Sequence, residues 1–151
     1  MDAEMAALSS RYAVAEMLLS GITTVLDMYY FEEVVAKVMD EMGIRGIAGE
    51  TVMETDSCDS ENTDQAIERG LALIAAYKDH PRVSGTLTPH GTTTCSPETL
   101  KRVYEEDVKS GKRVHTPHGG DGLRDDADQG TVRHDAGRVP GAHRGSRPEY
   151  G

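Results

Sequence analysis

Large aromatic side chains are scarce in this chain of 151 residues, which has no Trp, a single Phe and six Tyr. Rings supply much of the area that small domains bury, so an independent core built here would be thin. Cysteine is equally sparse: Cys58 and Cys95 cannot make a disulfide framework, and a reducing cytoplasm is the default expectation. No apolar run approaches the roughly 20 residues that a membrane span needs. The first residues also lack the basic-then-apolar order of a signal peptide. Positive charge is in the minority, with 16 Lys and Arg against 26 Asp and Glu and a formal net charge of −10. That balance argues against nucleic acid and against an anionic membrane as partners, since both reward clustered Lys and Arg. Internal repeats of the solenoid kind are absent as well.

What is present divides in two. Up to about Lys112, apolar-periodic segments alternate with short turns. From Thr116 onward the only sizeable apolar side chains are Leu123, Val132, Val139 and Tyr150, and Lys is missing altogether. A stretch so poor in apolar surface cannot offset its ordering entropy, so residues 116–151 are expected to be a disordered tail. The organised part is residues 1–115.

Within it, Met5, Leu8, Tyr12, Ala15 and Leu19 recur at helical spacing and predict a first helix over residues 2–20, with Gly21 past its end. Residues 22–27 are short and β-branched, and predict a buried strand. Phe31, Val34, Val35, Val38 and Met42 form a second helical stripe stopped at Gly43, and residues 44–49 a second strand. Ile67, Leu71, Ile74 and Tyr77 mark a third helix over residues 63–78, ahead of Pro81. Residues 83–88 predict a third strand. Ser96, Pro97 and Glu98 give a cap, a fixed φ and a favourable anion to a fourth helix that runs to Gly111. Arg113, Val114 and His115 read as the opening of a fourth strand. Helix and strand in alternation with short links mean parallel β–α units, in a barrel or a doubly wound sheet.

Ligands of either architecture bind at the carboxyl ends of the strands. Asp27, Glu50 and His90 fall there and are the candidate ligand-binding residues. The functional reading of His90 competes with that of a loop histidine bonded to nearby backbone. Asp27 could equally cap the next helix, and Glu50 could be structural. Cys95 lies close to His90 in sequence, but no orienting third group accompanies it, and a small buried apolar role fits it better than nucleophilic catalysis. Met17, Met28, Met39 and Met42 read as core filling. In the tail, His115, His118, His134 and His143 stand among Asp121, Asp125, Asp126 and Asp128. Their irregular spacing supports no more than weak, adventitious metal binding.

Several segments resemble one family. EMLLSGITTVLDMYYF, residues 16–31, is similar to the second β–α unit of the methylthioadenosine/S-adenosylhomocysteine deaminases, in the cytosine-deaminase and chlorohydrolase branch of the amidohydrolase superfamily. GIRGIAGET, residues 43–51, looks like the next strand of that family. Pro89-His90, followed by Thr94-Cys95-Ser96-Pro97, resembles its PHAPYTCSP segment, with Gly91-Thr92-Thr93 in place of Ala-Pro-Tyr. The resemblance covers residues 5–112 in order and implies part of a (β/α)8 barrel, three to four β–α units of the metal-dependent hydrolase type. It implies further that the intact enzyme holds one divalent ion, zinc or iron. The ion would make a bound water nucleophilic near neutral pH, for attack on a ring carbon of a nucleoside-like small molecule with loss of ammonia. His90 would then touch the substrate, at its ribose, and would not bind metal.

The same resemblance places two metal ligands, an H-x-H pair, on a strand upstream of Met1. A third ends the strand that begins at Val114. There Pro117 occupies the expected ligand position, with His115 two places before it. Hence the chain reads as an internal fragment with no catalytic or metal-ligating residues of its own, inactive alone and prone to self-association. A shift of one nucleotide near Val114 would rewrite the tail with a His, a Glu three places on and an amphipathic segment, so residues 116–151 read as out-of-frame translation. The competing reading is a complete flavodoxin-like or receiver-like α/β domain that binds a ligand without catalysis. Against it, the chain opens on a helix and has no Gly-rich phosphate loop.

Overall fold

A computed structural model describes residues 1–117. Helix α1 (Ala3–Leu19) leads into strand β1 (Thr24–Tyr29), α2 (Glu32–Met42), β2 (Arg45–Val52), α3 (Thr63–Ala76), β3 (Val83–Pro89) and α4 (Pro97–Lys109). The strands form one parallel sheet in the order β1-β2-β3.

Local chemistry sets the boundaries. Asp2 caps α1 by accepting the Met5 N–H, as Asn62 does for α3 from Gln65 and Ser96 for α4 from Thr99. At the other end of α1, Gly21 takes φ +82°. It lets the Gly21 and Ile22 amides turn back onto the Leu18 and Met17 carbonyls at 3.1 and 2.9 Å, the paired closure of a Schellman turn. Gly43 closes α2 the same way.

One face of the sheet carries the helices. Gly46, Ala48, Glu50 and Val52 of β2 alternate with residues turned to the other side, and the register aligns them with Val25, Asp27 and Tyr29 of β1 and with Val83, Gly85, Leu87 and Pro89 of β3. Two apolar clusters fill this layer. Val14, Val35, Val38, Met39, Ile44 and Ala48 lie under α1 and α2, while Val52, Ile67, Ile74, Leu87 and Val103 lie under α3 and α4. Gly85 is small because α3 presses on it: a Cβ there would stand 2.8 Å from the Ile74 nitrogen.

Two expectations are corrected here. The predicted stripe of α1 points outward: Met5, Leu8, Tyr12 and Leu19 are 55, 65, 70 and 90% exposed, and Ala6 and Val14 face the core instead. No fourth strand forms at 113–115. The chain there is fastened beside β3 by side chains, Thr86 Oγ1 donating to the Arg113 carbonyl at 3.2 Å and Thr116 Oγ1 to that of Pro89 at 2.6 Å. Pro117 has no N–H to give a ladder. The expectations for the tail from 118 onward, including His118, His134 and His143, fall outside the described residues.

Candidate functional site

Three β–α connections meet at the carboxyl end of the sheet. His90 follows β3 there, and its N–H donates to the Val52 carbonyl at 2.9 Å. Strand alternation turns its ring to the helix-free face, and ring Nδ1 lies 2.8 Å from Thr94 Oγ1. That contact fixes the ring while leaving Nε2 for another partner. The loop that supplies Thr94 is itself anchored, Cys95 N–H donating to the Gly91 carbonyl at 2.9 Å and Glu54 N–H to the Thr94 carbonyl at 3.0 Å. Glu54 then accepts from the Ser96 hydroxyl, from Thr99 Oγ1 at 2.6 Å and from the Ser96 N–H at 2.9 Å, and these donors hold its carboxyl below the usual range.

Cys95 is buried, its thiol directed at the Val52 carbonyl at 3.2 Å and pushed upward in pKa by that burial. His90 is partnered by Thr94, not by Cys95, so nothing in the geometry activates the thiol.

Asp27 and Glu50 share the end of the sheet with His90 but not its face. Both point into the helix layer, so falling at the same strand ends does not put the three on one face; strand period, rather than distance along the strand, decides it. Asp27 lines an apolar groove of about 240 Å³ between α1, β1 and α2, with Val14, Met17, Val25 and Met39. Its carboxylate accepts the Met28 N–H at 3.1 Å and does not cap α2, and burial raises its pKa. Glu50 sits inside β2, which runs three residues past the predicted end. Arg69 Nε donates to it at 3.2 Å. Burial, aided by Asp59 and opposed by Arg69, pushes Glu50 up to about 7.

Arg69, Asp59, Glu33 and Glu32 were not singled out by the sequence. Arg69 Nη2 donates to Glu33 at 2.7 Å and to Asp59 at 3.4 Å, tying α3 to α2 and to the β2–α3 loop. Asp59 in turn accepts the Phe31 N–H at 2.6 Å. Phe31 has φ +58°, a left-handed conformation that costs a bulky residue about 1–2 kcal/mol, so this bond supports a strained turn. Glu32, in the first turn of α2, is 0% exposed. An acid at a helix N-terminus reads as an ordinary solvated charge, and nothing local signals that this one is enclosed.

Among the described residues no three His, Cys, Asp or Glu side chains stand where they could hold a metal ion. No described helix is long and apolar enough to cross a membrane.

Sheet order completes the argument about class. Doubly wound sheets reverse strand order and carry helices on both faces. Here the order is sequential and the helices share one face, as in a segment of a (β/α)8 barrel. The flavodoxin-like and receiver-like alternative is thereby set aside. The chain belongs to the amidohydrolase family, which its sequence matches over residues 1–137. A 5-methylthioadenosine/S-adenosylhomocysteine deaminase of Thermodesulfovibrio yellowstonii is 33% identical over 103 residues, 68% of this chain and 24% of that protein. The crystal structure of an adenosine deaminase from Xanthomonas campestris with bound zinc superposes with a TM-score of 0.75 at 27% identity, over 77% of this chain and 26% of that one. An atrazine chlorohydrolase of Arthrobacter aurescens complexed with zinc shares the fold, with a TM-score of 0.71 at 22% identity, over 87% of this chain and 34% of that one. The chain spans about a quarter of the length of the curated relatives it matches.

Proposed function

We propose that this chain is a piece of a metal-dependent amidohydrolase that hydrolytically deaminates a purine nucleoside or a related heterocycle, and that it is inactive as it stands. The observation that carries the reading is a sequential, single-faced run of β–α units ending on His90, in a chain similar to deaminases along its organised part. In this reading His90 contacts the substrate through its free ring nitrogen. Glu50 and Asp27, aimed into the helix layer, serve the site by fixing the strand ends. The divalent ion, zinc or iron, belongs to the intact enzyme, where it supplies an activated water.

Residues 116–151 are proposed to be out-of-frame translation, so that the boundary of the organised barrel piece lies at 115. Sequencing the parent DNA through the codons around Val114 decides this. A shifted frame must yield a His with a Glu three residues later and then an amphipathic helix; if neither shifted frame does, the idea fails. The functional test compares the chain as written with a frame-corrected, upstream-extended version, measuring bound metal and deamination of adenosine and methylthioadenosine. Stoichiometric metal and turnover only in the extended version support the reading. Turnover by the present chain, or none by either, sinks it.

A further inference from the structure

Glu32 is the most enclosed acid in the described chain that no counter-ion touches. Its Oε1 accepts the Tyr29 N–H at 3.0 Å, while its Oε2, fully buried, has no donor at full hydrogen-bond geometry. The Gly49 N–H nearby only tempers the charge, against the larger opposing effects of burial, Asp27 and Glu50. Around it stand Asp27 from β1 and Glu50 from β2, both of which bear on its charge. Further out are Glu33 from α2, Asp59 from the β2–α3 loop and Arg69 from α3, the guanidinium already shared among Glu33, Glu50 and Asp59. Helix α1 brings only Ser9 and Ser10 as polar groups to the groove that Asp27 lines. No cation is left to neutralise Glu32.

We propose that Glu32 is a proton-operated latch: carrying a proton, it keeps the first turn of α2 seated on the ends of β1 and β2, and losing the proton releases the β1–α2 connection. An ionised Glu32 would face two carboxylates in a space closed to water, with only the Tyr29 and Gly49 amides and no cation to offset its charge. The element best able to yield is the connection itself, since Phe31 is already strained and held by one carboxylate. Burial, with Asp27 and Glu50, pushes the Glu32 carboxyl up to about 9, so the latch works on the alkaline side of neutrality. The inference concerns the fold's response to pH and stands whether or not the deaminase reading holds.

Amide hydrogen exchange on the full chain between pH 6 and pH 8.5 tests it. After correction for base-catalysed chemical exchange, the Tyr29 and Phe31 amides should lose protection by about tenfold per pH unit, the slope expected when one proton leaves on opening. The Ile44 amide, bonded to the Met39 carbonyl at 3.1 Å in the neighbouring turn, should hold its protection. In Glu32→Gln, an isosteric and uncharged variant, the pH dependence at Tyr29 and Phe31 should vanish. Protection independent of pH in the wild type, an equal slope in the variant, or a uniform loss at all three amides would overturn the latch. Should the variant not fold, carbon-detected NMR of the glutamate carboxyls in the wild type decides. One carboxyl titrating well above pH 7 with Tyr29 and Phe31 shifting alongside supports the proposal, and all carboxyls titrating below pH 6 refutes it.

Discussion

Helices α1 and α2 look alike in sequence and differ in what covers them. Both carry apolar residues at helical spacing. In α2 the covered face is Val35, Ala36, Val38 and Met39, each no more than 5% exposed, because the helix lies over β2 and reaches β1 and β3 beside it; Phe31, Val34 and Met42 of the stripe are half-buried. In α1 the larger side chains Met5, Leu8, Tyr12 and Leu19 face outward, and only small groups reach the core. It packs against α2 on one side, and the 240 Å³ groove separates it from β1. A helix buries a full stripe only where neighbours enclose it on both sides, so spacing identifies the helix but not the face that finds a partner.

The sharpest way to break this comparison is to remove equal groups from the two environments. Leu87→Ala, beneath α3 with 0% exposure, should cost about 3 kcal/mol in a urea unfolding titration, the range for fully enclosed leucines. Leu8→Ala should cost less than about 0.5 kcal/mol in the same titration. Equal losses would mean that α1 is covered after all.

Arg69→Met comes next. It strands Glu50 in the helix layer and frees Asp59 and Glu33, and should lower stability by about 2 kcal/mol, below the range for a fully buried pair because Arg69 is partly open to solvent. The loss should shrink when Glu50→Gln is added. An additive double mutant would show that the two side chains do not interact.

The third effect is a pH dependence. Glu32 and Glu50 have folded-state values of about 9 and about 7, both above the ordinary 4.5. The folded protein therefore holds extra protons, and stability is fully present below about pH 4.5. It falls as pH rises, through about 7 for Glu50 and about 9 for Glu32. Each fully displaced proton steepens the fall by about 1.4 kcal/mol per pH unit at most. Glu32→Gln should therefore gain on wild type by about 1.4 kcal/mol per pH unit in thermal melts, reaching about 4 kcal/mol between pH 5 and pH 8. A variant less stable at both values would show that Glu32 is ionised and paired.

Smallest in stability, yet visible in solution, is the surface of α1. The exposed apolar side chains and the free edge of β1 should make the chain self-associate. Leu8→Ser with Leu19→Ser should shift sedimentation toward monomer while changing stability by no more than about 0.5 kcal/mol. A wild-type chain that is monodisperse and monomeric would count against both the exposed face and the fragment reading.

Much of the fold was legible. Strand and helix identities up to Lys109 follow from spacing, caps and the glycines at 21 and 43, with ends displaced by no more than three residues. His90 was legible as a candidate because a histidine leaving a strand stands out locally, and the structure places it at the carboxyl end of the sheet. Its partner Thr94 lies four residues on and was readable only as part of a polar loop. The enclosure of Glu32 and the Glu33, Asp59 and Arg69 network were not legible, since the groups come from three separate elements and each looks like a solvated charge when read alone.

Sequence by itself determined the repeating β–α order, because periodicity, capping and turn residues act within a few positions of one another, and its motifs carried the family resemblance; strand order then chose a barrel segment over a doubly wound sheet. Tertiary structure alone decided which face of α1 is covered, that Asp27 and Glu50 turn away from His90, and that Glu32 is sealed beside two other carboxylates. Those outcomes depend on register and on the packing of distant segments, where one residue's shift along a strand exchanges the two faces of a sheet.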